Sequence, residues 1–241
     1  MTTESVVRHR AGHACLATIR AVDALFENRA DAGRRLAVHL GQTRVDDMVV
    51  VGLARGGVPV AAEVARSLSL PLDALAVRKV GHPSQPEYGI GGVTPSQNGV
   101  YVRSGDGLTD EQVLRAVEDA VEKAAALDLV LHRDRPPLDL EGRVVLLVDD
   151  GLATGATMIA AVRWARHRGA ARVIAAVPVG AASSVRLLQG EADEVDCPQI
   201  LQRFRAVGWW YEDFSPVTDG EVVQLVAELN PATSEEPRHR S

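Results

Sequence analysis

The chain predicts an α/β fold, a mostly parallel five-stranded sheet with helices on both faces. Three observations predict it. Short apolar runs recur near residues 48, 73, 144, 173 and 195, with helix-periodic stretches between them. Two of these runs lead straight into glycine-rich loops that open helices, at Gly52–Gly57 and Gly151–Thr157. The run Val144–Val148 is apolar throughout, as a strand covered on both faces must be.

Taken in order, residues 1–22 carry scattered charges and read as an N-terminal extension; His9 and His13 could share a helix face, and a solvated pair is the commoner reading. Leu25, Ala32, Leu36 and Leu40 recur at helical spacing, with Arg34 and Arg35 on the opposite face. Met48–Val51 is a buried strand running into Gly52–Gly57, and Pro59 in the first turn opens a helix to about Ser69. Asp73–Val77 is a third strand, ending in Arg78-Lys79. Val80–Arg103 is rich in Gly, Pro, Ser, Gln and Asn. So long an irregular segment predicts a flexible lid loop, partly a hairpin at Gly99–Val102, with glycines 89, 91 and 92 as hinges.

Thr109-x-x-Gln112 is a capping box, and Val113, Val117, Val121 and Ala124 stripe the helix it opens, which Pro136-Pro137 must end. After the strand at 144 and its helix come a strand at Val173–Val177, a helix at about Ser183–Gln189 and a short strand at Glu194–Cys197. Phe204–Phe214 holds most of the scarce aromatics and predicts a small C-terminal hood. These rings either anchor the segment or stack on a planar base, and anchoring is the commoner use. Asp219–Leu229 is a last helix. The expected organisation is an extension at 1–22, one domain at 23–229 and a disordered polar tail at 230–241.

Composition narrows the function. At 241 residues, 46% hydrophobic and 24% charged, the chain is long enough for one substantial core. A net charge of −6, with no basic run interleaved with aromatics, argues against a nucleic-acid partner. No apolar stretch approaches the roughly 18 residues of a membrane span, and no signal-like segment opens the chain. A cytoplasmic protein without a membrane partner is therefore expected. Cys15 and Cys197 form neither a disulfide framework nor a metal cluster, and Cys197 beside Pro198 reads as buried packing.

A strand, a small-residue loop and a helix N-terminus together make an anion site, because free backbone N–H groups converge there. Thr154 and Thr157 add hydroxyls, and Gly155 lets the backbone approach closely. Asp149 and Asp150 suit hydroxyls or a metal. Adjacent acids on extended backbone point to opposite sides, so they divide their work between two ligand groups or between ligand and scaffold. No lysine follows Gly155, which excludes a P-loop, and the G-x-G-x-x-G dinucleotide fingerprint is absent here. The Gly52–Gly57 loop is a second site of the same physical kind. Two such sites suit a ligand with phosphate groups at both ends.

Val148–Thr157, Val-Asp-Asp-Gly-Leu-Ala-Thr-Gly-Ala-Thr, resembles the signature of type I phosphoribosyltransferases, which bind 5-phosphoribosyl-1-diphosphate (PRPP). The stretches Phe-Glu-Asn-Arg-Ala-Asp-Ala-Gly-Arg-Arg-Leu-Ala and Ala-Val-Gly-x-x-Tyr-x-Asp-Phe are similar to one bacterial branch, so the resemblance spans about residues 25–229. It implies Mg²⁺-dependent transfer of the phosphoribosyl group to a nitrogen nucleophile, a nucleobase with purine favoured, releasing pyrophosphate, in a homodimer. Ala153, Thr154, Gly155, Ala156 and Thr157 would hold the 5-phosphate. Asp149 and Asp150 would face the ribose hydroxyls and hold the metal indirectly, through those hydroxyls or water. Ala54, Arg55, Gly56 and Gly57 would form the pyrophosphate loop, with a non-proline cis peptide expected at Ala54–Arg55. Arg78 and Lys79 resemble the basic pair that contacts diphosphate, in some relatives across a dimer. Glu87-Tyr88-Gly89 is similar to a flexible-loop tripeptide of adenine phosphoribosyltransferases, which adds Glu87 to the catalytic set. The alternative implied is a PRPP-binding sensor without transferase activity.

Overall fold

A computed structural model describes residues 24–41, 47–96, 98–103 and 107–230, so the expected extension and residues 231–241 lie outside the described chain. The first helix, α1 (Arg29–Leu40), starts later than its apolar spacing predicts, because the Asn28 side chain caps it by accepting the Asp31 N–H. Strand β1 (Met48–Ala54), helix α2 (Gly57–Leu68) and strand β2 (Leu72–Ala76) follow. Next come β3 (Arg78–His82), β4 (Gln85–Val93), β5 (Val100–Val102) and the long helix α3 (Asp110–Leu131), which carries the predicted capping box. Then β6 (Val144–Val148), α4 (Ala156–His167), β7 (Arg172–Ala176), β8 (Val179–Ala181) and α5 (Ala182–Leu188) alternate. The chain closes with β9 (Glu194–Asp196), β10 (Gln199–Leu201), a 3₁₀ turn (Val207–Trp210) and α6 (Asp219–Leu229).

The main sheet has the order β2-β1-β6-β7-β9 and is parallel throughout. Strand alternation divides its side chains between two cores. Val50, Leu146 and Ile174 face one core with α1, α2, α3 and α6, whereas Val49, Leu147 and Val173 face the other with α4 and α5. The middle neighbours β1 and β6 pair in register through Gly52 and Val148. From there the chain leaves in opposite directions: β1 leads through α2 to β2, and β6 leads through α4 to β7. Helices α2 and α4 lie on opposite faces. The carboxyl ends of β1 and β6 therefore border a topological switch point, where open α/β sheets bind ligands.

The expected irregular lid is corrected by the structure. Strands β3, β4 and β5 form an antiparallel sheet, with Val80, Ile90 and Val93 buried against Ala120 of α3. The glycine- and proline-rich composition masks this because few positions carry an inward apolar side chain. Gly92 is a packing residue rather than a hinge: a Cβ there would lie 2.5 Å from the Ala156 carbonyl oxygen. The hood forms as expected, from the β8–β10 pair, the 3₁₀ turn and a core of Phe26, Ala32, Val179 and Tyr211. Helix α6 docks on the first core through buried Val222 and Val226, and Asn230 hydrogen-bonds the backbone of Leu72. Among the described residues no helix is long and apolar enough to cross a membrane.

Candidate active site

Five helices of the described chain have eleven residues or more, and their N-termini fall into two classes. Asn28, Thr109 and Thr218 cap α1, α3 and α6 with their side chains. Helices α2 and α4 start at Gly56 and Gly155 with no side-chain cap hydrogen bond. In their first turns Val58 N–H donates to the Arg55 carbonyl at 3.2 Å and Ala156 N–H reaches the Thr154 hydroxyl at 3.5 Å, while neither N-cap residue caps the remaining N–H groups, and both helices start at the switch point. Gly155 takes a left-handed conformation, φ 79°, which aims the following amides at the loop's hollow. Thr154 and Ala153 are exposed, and the Ser184 hydroxyl steadies the loop from below by donating to the Ala153 carbonyl. A cavity of about 270 Å³ adjoins Ala153, Thr154 and Ala156, bounded opposite by Gly89, Tyr101 and Arg103.

The two loops meet. A Cβ on Gly56 would lie 2.3 Å from Asp150 Oδ2, and one on Gly57 would lie 2.6 Å from the Val148 carbonyl oxygen. Only glycine lets the 54–57 backbone press against the acids. The peptide Ala54–Arg55 is cis, as expected, and Arg55 stands exposed at the rim.

The adjacent acids divide between ligand and scaffold. Asp150 is held from three directions: Arg29 Nε donates to its Oδ2 at 2.8 Å, Tyr211 Oη donates to its carbonyl at 2.6 Å, and Gly56 packs on it. Arg29 is itself fixed, donating to the Ser215 carbonyl at 2.8 Å and lying 3.8 Å over the Phe214 ring. Among the described residues Asp149 has no cationic side chain of its own. Its Oδ1 accepts the Asp150 N–H at 2.9 Å, and Gly57 packs beside it. Burial, then repulsion from Asp150, raises the Asp149 carboxyl well above the usual carboxylate range. Burial also raises Asp150, against the pull of Arg29. A carboxylate poised this way gains from any cation or hydroxyl donor that enters the cleft.

The basic pair at 78–79 separates, because successive strand residues face opposite sides. Arg78 has Arg55 and Asp219 as its electrostatic neighbours; burial, then Arg55, lowers its pKa, and Asp219 opposes them. Lys79 turns the other way, over Gly89 and into a groove with His82, Arg115 and Lys123. The geometry sets Arg78 beside Arg55 and Lys79 in that separate groove. Glu87 lies on β4, and its side chain is outside the described residues.

Sequence reasoning did not single out Arg29, Tyr211 as an Asp150 partner, Val207, which packs on Gly151, or Asp219 beside Arg55. The only signal for Arg29 was an arginine at the start of an otherwise apolar helix face. Most of the hood aromatics pack on one another: Tyr211 lies 5.1 Å from Phe214 and Phe204 5.9 Å from Trp210, with Trp209 half exposed under Arg205. Cys197 packs half-buried against the second core, and burial pushes its thiol up to about 12. No cluster of three His, Cys, Asp or Glu side chains that could hold a metal exists among the described residues. A divalent cation carried in by ligand phosphates needs no such cage, since one or two carboxylates with phosphates and water suffice.

The model for the phosphoribosyl transferase domain matches residues 21–212. A protein of Mycobacterium tuberculosis named "Putative phosphoribosyl transferase" is 45% identical over 207 residues, 84% of this chain and 46% of the relative. The chain thus spans about half the length of the curated relatives it matches. A uracil phosphoribosyltransferase from Nocardioides is 32% identical over 81 residues, 34% of this chain and 38% of its own length. The crystal structure of a Thermus thermophilus protein matches with a TM-score of 0.71 at 38% identity, covering 85% of this chain and 98% of that one.

Proposed function

Because the chain belongs to the phosphoribosyl transferase family, we propose that it moves the 5-phosphoribosyl group of PRPP to a nucleobase nitrogen and releases pyrophosphate. The observation that carries this reading is the meeting of two glycine-capped helix N-termini at one switch point, with Asp149 packed beside Gly57. The α4 N-terminus, from Ala153 to Thr157, would take the 5-phosphate. The α2 N-terminus with Ala54, Arg55, Gly56 and Gly57, joined by Arg78, would take the diphosphate. Asp149 would accept hydrogen bonds from the ribose hydroxyls, and Asp150, held by Arg29, would fix the turn that aims it.

As the C1–diphosphate bond breaks, positive charge grows on the ribose and negative charge on the leaving group. Arg55, Arg78 and the α2 amides stand where that negative charge develops, and they need little rearrangement to meet it. Mg²⁺, reached from Asp149 through hydroxyls or water, would add neutralising charge on the diphosphate oxygens. Holding both ends of the sugar also fixes C1 against its acceptor.

Purine is the favoured acceptor, supported by the Glu87-Tyr88-Gly89 resemblance; the Nocardioides relative makes uracil the next base to try. The test is incubation with Mg·PRPP and a panel of adenine, hypoxanthine, guanine and uracil, following pyrophosphate. Base-dependent release supports the transferase. A PRPP sensor is the second reading, favoured by Lys79 lying outside the cleft, and PRPP binding without release for any base would establish it. In a homodimer, Lys79 could instead serve the partner's diphosphate. Sedimentation of the full chain, wild type and Lys79→Ala, checks that arrangement.

A further inference from the structure

Asp219 is the first residue of α6 and lies beyond the 21–212 span of the family match. It nevertheless stands at the proposed diphosphate loop. Its Oδ1 lies 3.6 Å from Arg55 Nε, and that oxygen is covered from solvent yet accepts no hydrogen bond. The side chain as a whole is half exposed, 43%, as is Arg55 at 45%. Nothing about this contact resembles a fold-stabilising bridge: it is long, half wet and without a directed hydrogen bond.

The helix that carries it, by contrast, is firmly seated. Val222 and Val226 are buried on the first core, Arg66 pairs with Glu228 at 3.1 Å, and Arg135 donates to the Val226 carbonyl. The Thr218–Glu221 capping box fixes the first turn. Asp219 is therefore presented to the arginines by a rigid element, and Thr218 rather than Asp219 supplies the cap.

We propose that Asp219 is a resident stand-in for the diphosphate, an acid that pairs Arg55 when the loop is empty and weakens its hold on pyrophosphate. Two arginines at one loop repel each other, and a carboxylate beside them relieves that repulsion. When an anion with several charges arrives, the same carboxylate opposes it. The residue thus sets pyrophosphate affinity low enough for the product to leave. The proposal rests on reading Ala54–Gly57 as the diphosphate loop.

Calorimetric titration of Mg·pyrophosphate into the full chain and into Asp219→Asn, Asp219→Ala and Asp219→Glu tests it. Both neutral variants should bind about fivefold tighter than wild type, and Asp219→Glu should stay close to it. In the transfer assay the neutral variants should lower KM for PRPP and lower kcat together, because product leaves more slowly. A merely structural loss would raise KM, and thermal melting monitors the fold. Pyrophosphate binding by wild type that the neutral variants leave unchanged or weaken would overturn the role of Asp219 alone. Absence of pyrophosphate binding by wild type would overturn the reading of the loop, and this proposal with it.

Discussion

The two helix-opening loops differ in where their parts come from. At 149–157 the acids, the hydroxyls, the left-handed glycine and the first helical amides are contiguous, and the helix they open follows directly. At 54–57 the sequence supplies glycines and one arginine, and the remaining charges arrive from β3 and from α6, far along the chain. The first loop is a motif, whereas the second is an assembly. The difference predicts that damage at the first is local and severe, and damage at the second graded and tunable.

The largest effect should come from the first loop. Asp149→Asn combined with Asp150→Asn should lower transfer about a thousandfold, roughly 4 kcal/mol, while circular dichroism stays unchanged. Retained activity would show that the acids are not the contiguous site described here. Next, Arg29→Met should destabilise the fold by about 3 kcal/mol in urea, because it leaves Asp150 buried without its cation; both side chains are nearly covered, 11% and 12% exposed. Arg29→Lys should recover part of that loss. A Met variant as stable as wild type would mean that Asp150 does not depend on Arg29.

Gly92→Ala should cost about 1–3 kcal/mol, since its Cβ meets the Ala156 backbone at the very start of α4. It should also weaken ribose 5-phosphate binding more than pyrophosphate binding, a contrast that the two-loop picture requires. The smallest effect on ligand binding sits away from both loops and serves as a control. His132 contacts Asp128 at 3.1 Å and Asp73 at 3.2 Å; burial opposes its charge, but these acids prevail and raise its pKa to about 10. A raised folded-state value gives stability that is complete below the ordinary histidine value of about 6.5 and lost as pH climbs through about 10. Wild type should therefore lose stability across that window, His132→Asn should flatten the loss, and pyrophosphate affinity should not move.

The sequence made the parallel sheet legible because its inner strands are covered on both faces and need continuous apolar runs, as Val144–Val148 shows. It also made the anion loops legible, since glycines and acids crowd into a few adjacent residues, and the position of the cis peptide followed from the family resemblance. It misread 80–103, where only Val80, Ile90 and Val93 are fully buried in the small core and glycines pack backbone on backbone. Arg29 and Asp219 were illegible for a different reason: their partners, Asp150 and Arg55, lie more than a hundred residues away, and charge pairing leaves no periodicity behind. The split of Arg78 from Lys79 follows from strand alternation, and it became visible once β3 was known to be a strand.

The central claim is that two loops grip opposite ends of one doubly phosphorylated sugar, and crossed titrations test it most directly. Ribose 5-phosphate and Mg·pyrophosphate are titrated separately into wild type, Arg55→Ala and Thr154→Val. Arg55→Ala should lose most of its pyrophosphate affinity and keep ribose 5-phosphate, whereas Thr154→Val should show the reverse. If both variants lose the same ligand, or wild type binds neither, the two-ended grip is wrong.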